Sequence, residues 1–148
     1  MSKLKLCFVI SEDWYFISHR FELAKKFIEN NINVSLISNF SKYQDLIKEA
    51  GVQINEINFR RSKINIINDI QNIIKINKII SKKKYKIVHA VGIKPILITS
   101  ISCLFKKKVS LVCAFAGMGT LFTSESILNS IYKYIFTKII KLISKKNN

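Results

Sequence analysis

The 148 residues of the sequence show no pattern typical of a signal peptide, a membrane-spanning segment or a disulfide framework. Its N-terminus leads directly into a short apolar run, without the long apolar stretch and cleavage site of a signal peptide. The longest charge-free run, residues 109–124, is interrupted by two glycines and is too short to cross a membrane. The three cysteines have no metal-like spacing and indicate a reducing compartment. These absences together predict a cytoplasmic protein.

Acidic residues are also scarce, since nine Asp and Glu stand against 25 Lys and Arg, a formal net charge of +16. Residues 1–59 carry seven charges of each sign, so the whole excess lies in residues 60–148. The excess indicates anionic partners; alternatively, it reflects a composition rich in Lys, Ile and Asn, whose codons are A/T-rich. Because aromatic and basic residues are not interleaved and no binding motif is recognised, we expect no nucleic-acid partner.

The length fits one domain, and the 49% hydrophobic content supplies a core and excludes disorder over most of the chain. Apolar runs predict strands over residues 4–10, 33–39, 52–57, 86–91 and 109–115. Helical periodicity predicts helices over residues 17–28, 42–50, 64–80, 95–105 and 126–144. This alternation predicts an α/β fold, a Rossmann-like parallel sheet with helices on both faces. Ligands bind such sheets at the carboxyl ends of the strands.

The loop after the first strand, residues 11–16, brings polar and aromatic residues to the start of a helix. The helix dipole favours anions there, and Arg20 adds a charged hydrogen-bond donor close to Asp13 and His19. Alternatively, Asp13 or Ser18 caps the helix and the aromatic residues only pack against the core.

Two later loops also contain polar candidates. His89 is predicted to line the cleft as a base or hydrogen-bond donor, or else to be structural. Lys94, just before a helix, suits a phosphate but equally a solvated position. Gly117 and Gly119 could form a nest of N–H groups for an anion, or simply turn the chain. They lack the third glycine of the dinucleotide fingerprint and follow the fifth strand, so we expect no nicotinamide cofactor.

The last predicted helix is basic and amphipathic. One face contains Leu128, Ile131, Tyr132, Ile135, Ile139, Leu142 and Ile143, while Lys133 and Lys141 lie opposite. This pattern predicts either a helix that packs on its own sheet or one that lies on an anionic membrane surface.

Four segments, taken together and in order, resemble the N-terminal domain of family-4 glycosyltransferases. They are SEDWYFISHRFELA at 11–24, FRRS at 59–62, IVHAVGIKP at 87–95 and AGMGTLFTS at 116–124. The resemblance implies one half of a GT-B architecture, in which two Rossmann-like domains face each other across a cleft. It implies an acceptor, often a lipid-linked sugar, on the N-terminal domain and a nucleotide-sugar donor on the C-terminal domain. It further implies sugar transfer with retention of configuration, without metal or cofactor, in bacterial surface polysaccharide synthesis.

Carried onto this sequence, the resemblance implies that Asp13, His19 and Arg20 line the acceptor side. It implies that Lys94, Gly117 and Gly119 face the donor diphosphate. The candidates for a catalytic role are Asp13, His19 and His89.

The chain departs from the family pattern in two ways. Some members carry a histidine soon after the fifth strand, where this chain has AFA at 114–116. Residues 1–148 do not extend into a C-terminal donor domain, so we expect them to be a truncated, acceptor-side domain that is inactive without a separate donor-domain subunit. The alternative is a non-catalytic subunit, peripheral at the inner face of the cell membrane, that recruits a separate catalytic partner.

Overall fold

The computed structural model describes residues 3–59, 65–115 and 127–146, and within them it confirms the predicted α/β class. The strands are β1 (Lys5–Glu12), β2 (Asn33–Asn39), β3 (Gln53–Glu56), β4 (Ile87–Val91) and β5 (Ser110–Ala114). The helices are α1 (Asp13–His19), α2 (Phe21–Glu29), α3 (Gln44–Glu49), α4 (Ile66–Lys83), α5 (Ile93–Cys103) and α6 (Ile127–Lys146).

The strands form one parallel sheet in the order β3-β2-β1-β4-β5. The central strand β1 is apolar on both faces, as expected of a strand covered by helices on two sides. Phe8 belongs to one core and Val9 to the other. All five strands end at the same edge of the sheet, where the segments that follow them come together.

Helices cover the two faces of the sheet in separate groups. The face covered by α1, α2 and α3, here the front face, has a core that includes Phe8, Phe16 and Leu36. The face covered by α4, α5 and α6, the back face, has a core that includes Ile76 and Ile96. Two cysteines are buried and one is half-buried, and all three are free thiols, as their apolar surroundings predict (Cys7, Cys103 and Cys113).

The segment after β1 differs from its prediction as a loop over residues 11–16. The strand continues to Glu12, and α1 begins directly at Asp13. The helix predicted over 17–28 is broken at Arg20, whose backbone (φ −134°, ψ −7°) is not helical. The break allows Phe16 and Phe21, from successive helices, to meet edge to face on the front face, 6.1 Å apart.

The side of α6 that packs on the core shares one residue, Ile139, with the apolar face named from the sequence. The side chains that pack on the back-face core are Phe136, Ile139 and Ile140. Three other residues of that apolar face are exposed, namely Ile131, Ile135 and Leu142; the side chains of Leu128, Tyr132 and Ile143 lie outside the described residues. Apolar residues occur around much of this helix, so periodicity alone does not select its buried side. Over the described ranges, no helix is both long and apolar enough to span a membrane.

Candidate functional site

Asn39 joins the carboxyl ends of three strands. Its side-chain Nδ2 donates to Glu12 Oε1 at 3.2 Å and to the Phe59 carbonyl at 2.9 Å. Its Oδ1 accepts the Phe59 N–H at 2.7 Å. Glu12 ends β1 and Phe59 follows β3. This one amide therefore holds together the edge formed by the carboxyl ends of β1, β2 and β3, and we call the carboxyl-end edge of the sheet the rim.

Asp13 fastens the segment after β2 to the start of α1. Its carboxylate is fully buried. Oδ2 accepts the N–H groups of Ser41 (2.7 Å) and Tyr43 (3.1 Å), and Oδ1 accepts the Ser41 hydroxyl and the Trp14 N–H, both at 2.8 Å. Burial alone would raise the pKa of this carboxyl, but these hydrogen bonds outweigh it and the pKa is lowered. The ionised carboxylate is therefore well suited to holding the rim in position.

His19 ends α1 and is exposed to solvent. Its ring stacks on Tyr15 at 4.1 Å between centroids, and Nδ1 lies 3.2 Å from the Tyr15 carbonyl. Neither Asp13 nor Ser18 is the N-cap residue of α1, which is Glu12. His19 thus has a defined orientation on a surface that a ligand can reach.

Arg20 and His89 come together on the front face. Arg20 donates from Nη1 to the His19 carbonyl at 2.8 Å, while its Nε is buried without a hydrogen-bond partner. His89, in the middle of β4 rather than after it, packs its ring 5.2 Å from Phe8, and its Nε2 is likewise buried without a partner. Burial and the nearby charge of Arg20 lower the pKa of His89, so the imidazole is neutral at pH 7.

Lys94 lies on the back face, in the first turn of α5. Its Nζ is 2.9 Å from Asp69 Oδ1 of α4, and the two side chains are only 12% and 7% exposed. Lys94 is therefore not the solvated lysine of the alternative reading, and its contact with a donor phosphate stays a prediction. Gly117 and Gly119, predicted to act with it, lie outside the described residues.

Sequence reasoning missed Asn39, Ser41 and Asp69. Asn39 is the last residue of an apolar strand, so the rule that selected the other loops could have found it. Asp69 had a signal as well, since it is one of two acidic residues after position 59 and lies within an isoleucine-rich helix. Ser41 has no comparable signal, because its role depends on a partner 28 residues away.

The side chains brought together offer cations and N–H donors more than metal ligands. Arg20 and His89 supply them on the front face, whereas on the back face the ammonium group of Lys94 is paired with Asp69. Within the described ranges, no three His, Cys, Asp or Glu side chains lie close enough to hold a metal ion. Charged N–H donors of this kind recognise carboxylate and phosphate groups. The arrangement can therefore bind an anionic ligand.

One family model matches nearly the whole chain. It is described as glycosyl transferase 4-like, and the match covers residues 5–146. None of the curated proteins matches at a significant level.

Several solved structures share the fold. A glycosyltransferase from Rickettsia africae ESF-5 superposes with a TM-score of 0.70 at 19% identity, over 95% of this chain and 35% of its own. A putative UDP-N-acetylglucosamine 2-epimerase from Listeria monocytogenes has a TM-score of 0.66 at 11% identity, over 94% and 38%. MurG from Acinetobacter baumannii has a TM-score of 0.57 at 11% identity, over 90% and 39%. The chain thus spans less than two-fifths of each of these proteins.

Proposed function

The chain belongs to the glycosyl transferase 4-like family, and we propose that it is the N-terminal, acceptor-binding part of a retaining glycosyltransferase. In this proposal the donor is a nucleotide-sugar and the acceptor is a saccharide or lipid-linked sugar of bacterial surface polysaccharide synthesis. The reaction takes place in the cytoplasm, at the inner face of the cell membrane. The observation that carries the proposal is the family match over residues 5–146.

The proposal assigns the acceptor to the front-face side of the rim. His19, Arg20 and His89 contact it, since each presents a nitrogen-bearing side chain there. Asp13 acts indirectly, because its oxygens are engaged by Ser41, Tyr43 and Trp14 and hold the rim in shape. Of these residues, the exposed His19 and the neutral His89 are the candidates for proton transfer to or from the acceptor.

The donor diphosphate is assigned to the other side of the rim, where Lys94 lies at the start of α5 and Gly117 and Gly119 follow β5. A helix N-terminus and a nearby ammonium group favour phosphate. Since the chain spans 35% to 39% of the structural neighbours above, the proposal places most of the donor site in a second domain. That domain is carried by the same protein or by a separate subunit.

Reconstitution tests this proposal. The coding sequence downstream is read for a donor domain, in frame or shifted, and that domain is purified. We expect no release of nucleoside diphosphate from nucleotide-sugars with this chain alone or with the donor domain alone, and release when the two are mixed with an acceptor. Turnover by the isolated chain would refute the assignment of the donor site to a second domain.

A second candidate function, a non-catalytic subunit bound to the membrane surface, is favoured by α6. Ile131, Ile135 and Leu142 form an exposed stripe along this helix, and the exposed Lys138 lies beside them. A helix with apolar and basic residues on one exposed surface can bind anionic lipid. The apolar side chains insert into the membrane surface, and the basic side chains pair with the headgroups.

Sedimentation with anionic and with zwitterionic vesicles, at low and high salt, tests this second candidate. We expect binding to anionic vesicles that salt weakens, and a loss of at least about fivefold when Ile135 and Leu142 are both changed to Gln. The matched control changes Ile66 and Ile74 to Gln, because these α4 residues are similarly exposed, at 55% and 50%. Equal loss in both variants, or no salt-sensitive binding at all, would rule this function out.

A further inference from the structure

We propose that Arg20 and His89 form a subsite for an oxyanion, a phosphate ester or a carboxylate, carried by the acceptor. This inference rests on the proposed function, because it names the charge of the molecule that the acceptor side binds.

The first support is two buried nitrogen atoms without partners. Arg20 Nε and His89 Nε2 are both shielded from solvent, and neither makes a hydrogen bond. Buried N–H groups in folded proteins nearly always have an acceptor, because leaving one unpaired forfeits the hydrogen bond it made with water. Arg20 Nε can only donate, and His89 donates from Nε2 in one tautomer. In that tautomer both atoms present an N–H group that an acceptor oxygen can satisfy.

The second support is that the fold brings the two residues to one place. The register of β1 with β4 pairs Phe8 with His89, and the Phe8 ring contacts both His89, at 5.2 Å, and Phe16, at 5.6 Å. The backbone N–H of Arg20 donates to the Phe16 carbonyl at 2.8 Å. Arg20 and His89 thus both neighbour the same aromatic pair, and burial together with the nearby charge of Arg20 lowers the pKa of His89.

The subsite lies below the rim of the sheet, next to a partly exposed part of β5. The seven residues of α1 carry the chain about 10 Å away from the strand ends before Arg20. His89 stands two residues before the end of β4, or about 7 Å. Its neighbour in β5 is Val112, which is 46% exposed. The proposal therefore has the ligand group approach along the front face of β5, where Val112 is the exposed side chain next to His89.

The third support is the positive charge of the Arg20 side chain. Among the described residues no carboxylate forms an ion pair with Arg20, whereas Lys25, Lys48 and Lys94 each have one. A guanidinium group without an internal counterion, beside a neutral N–H donor, favours an oxyanion over a neutral hydroxyl. The subsite thus selects acceptors that carry a negative charge.

NMR of the imidazole nitrogens of the full chain tests the proposal. The chain has two histidines, so the His19→Gln variant assigns the remaining signals to His89. Inorganic phosphate and glucuronate serve as probes for the two oxyanions, with glucose as the neutral comparison. We expect saturable shifts of His89 Nε2 with one or both anions and none with glucose. The anion that binds more tightly distinguishes a phosphorylated from a carboxylated acceptor.

Two variants should lose affinity for the anion. Arg20→Met should weaken anion binding at least about tenfold, since it removes a charge-assisted hydrogen bond. His89→Gln, followed by calorimetric titration, should weaken it several-fold and provides a second readout if Arg20→Met does not fold. Lys48→Met is the control, because it removes the same charge from an exposed site on α3 and should bind the anion as the parent does.

Absence of anion-dependent shifts, or equal binding by Arg20→Met and the parent, would overturn the proposal. The reconstituted transfer assay separates this failure from that of the proposed function. Transfer to neutral acceptors without anion binding would refute only the subsite. Anion binding without transfer in any reconstituted mixture would refute only the glycosyltransferase role.

Discussion

At the scale of single residues, Asp13 and Arg20 flank one short helix, yet the fold surrounds their polar atoms differently. Both oxygens of Asp13 accept hydrogen bonds from the protein itself. Arg20 Nε and His89 Nε2 have no such partners. Because its oxygens are satisfied within the protein, Asp13 positions the rim, whereas the unpartnered nitrogens of Arg20 and His89 are the atoms assigned above to a ligand.

Asp13→Asn should lower the free energy of unfolding by about 2–3 kcal/mol at pH 7. The amide would turn one N–H-accepting oxygen into a donor facing the N–H groups of Ser41 or Tyr43. Urea denaturation measures the change. The control is Asp45→Asn, whose carboxylate is 88% exposed and should matter by less than about 0.5 kcal/mol. Equal effects at the two positions would contradict the role given to Asp13.

The stabilisation by Asp13 should also depend on pH. Its pKa is lower in the folded protein than in the unfolded chain, so the unfolded chain takes up a proton first as the pH falls. The stabilisation is complete above the unfolded pKa, about 4, and is lost as the pH falls through the folded pKa. The difference in unfolding free energy between the parent and Asp13→Asn should therefore shrink below about pH 4. A difference that persists unchanged at lower pH would show that ionisation is not its source.

At the scale of elements, the sequence predicts most strands and helices, because apolar periodicity reports which side of an element is buried. The strand over 33–39 matches β2 at both ends, and the short helix before Gly51 is α3. Gly51 has φ +84°, which explains why a glycine follows that helix. The break at Arg20 was missed because the apolar spacing continues through it, and the sequence left open which side of α6 packs, because that depends on neighbours distant in sequence.

The ion pair that joins α4 to α5 gives a prediction at this scale. Lys94→Met leaves the buried carboxylate of Asp69 without its cation and should cost about 3 kcal/mol of unfolding free energy. The double variant with Asp69→Asn should lose about 2 kcal/mol less unfolding free energy than the sum of the losses in the two single variants. Denaturant unfolding of the parent, the two single variants and the double variant gives this double-mutant cycle.

The exposed pair of Lys25 with Glu22 is the control for that cycle. Its side chains are 40% and 78% exposed, so Lys25→Met should cost less than about 0.5 kcal/mol. Additive effects of the Lys94 and Asp69 changes would show that the two helices are not coupled through this pair.

At the scale of the whole molecule, charge is distributed unevenly. Eighteen of the 25 basic residues and only two acidic ones lie after residue 59. That region includes α4, α5 and α6, which cover the back face, so much of the positive charge belongs to the helices of one face. Self-repulsion of this kind destabilises a compact state and is screened by salt.

Raising NaCl from about 0.02 to 0.3 M should therefore increase the free energy of unfolding. At the higher salt, the repulsion between surface charges more than about 10 Å apart is screened, so the folded state is destabilised less. The matched variant changes the exposed Lys107 and Lys108 to Gln, which should stabilise the protein at low salt and reduce the salt dependence. Thermal melts at each salt concentration measure both effects. Stability that falls with salt would indicate that attractive ion pairs outweigh the net repulsion.

The sequence by itself determined the α/β class, the order of the elements and the family, because these depend on local periodicity and on short motifs. Only the tertiary structure decided how distant side chains combine. Asn39 joins three strand ends, Lys94 pairs with Asp69 across two helices, and His89 packs on Phe8 within reach of the Arg20 charge. Such meetings depend on strand register and on where a helix breaks, and both are set by packing between segments far apart in the chain.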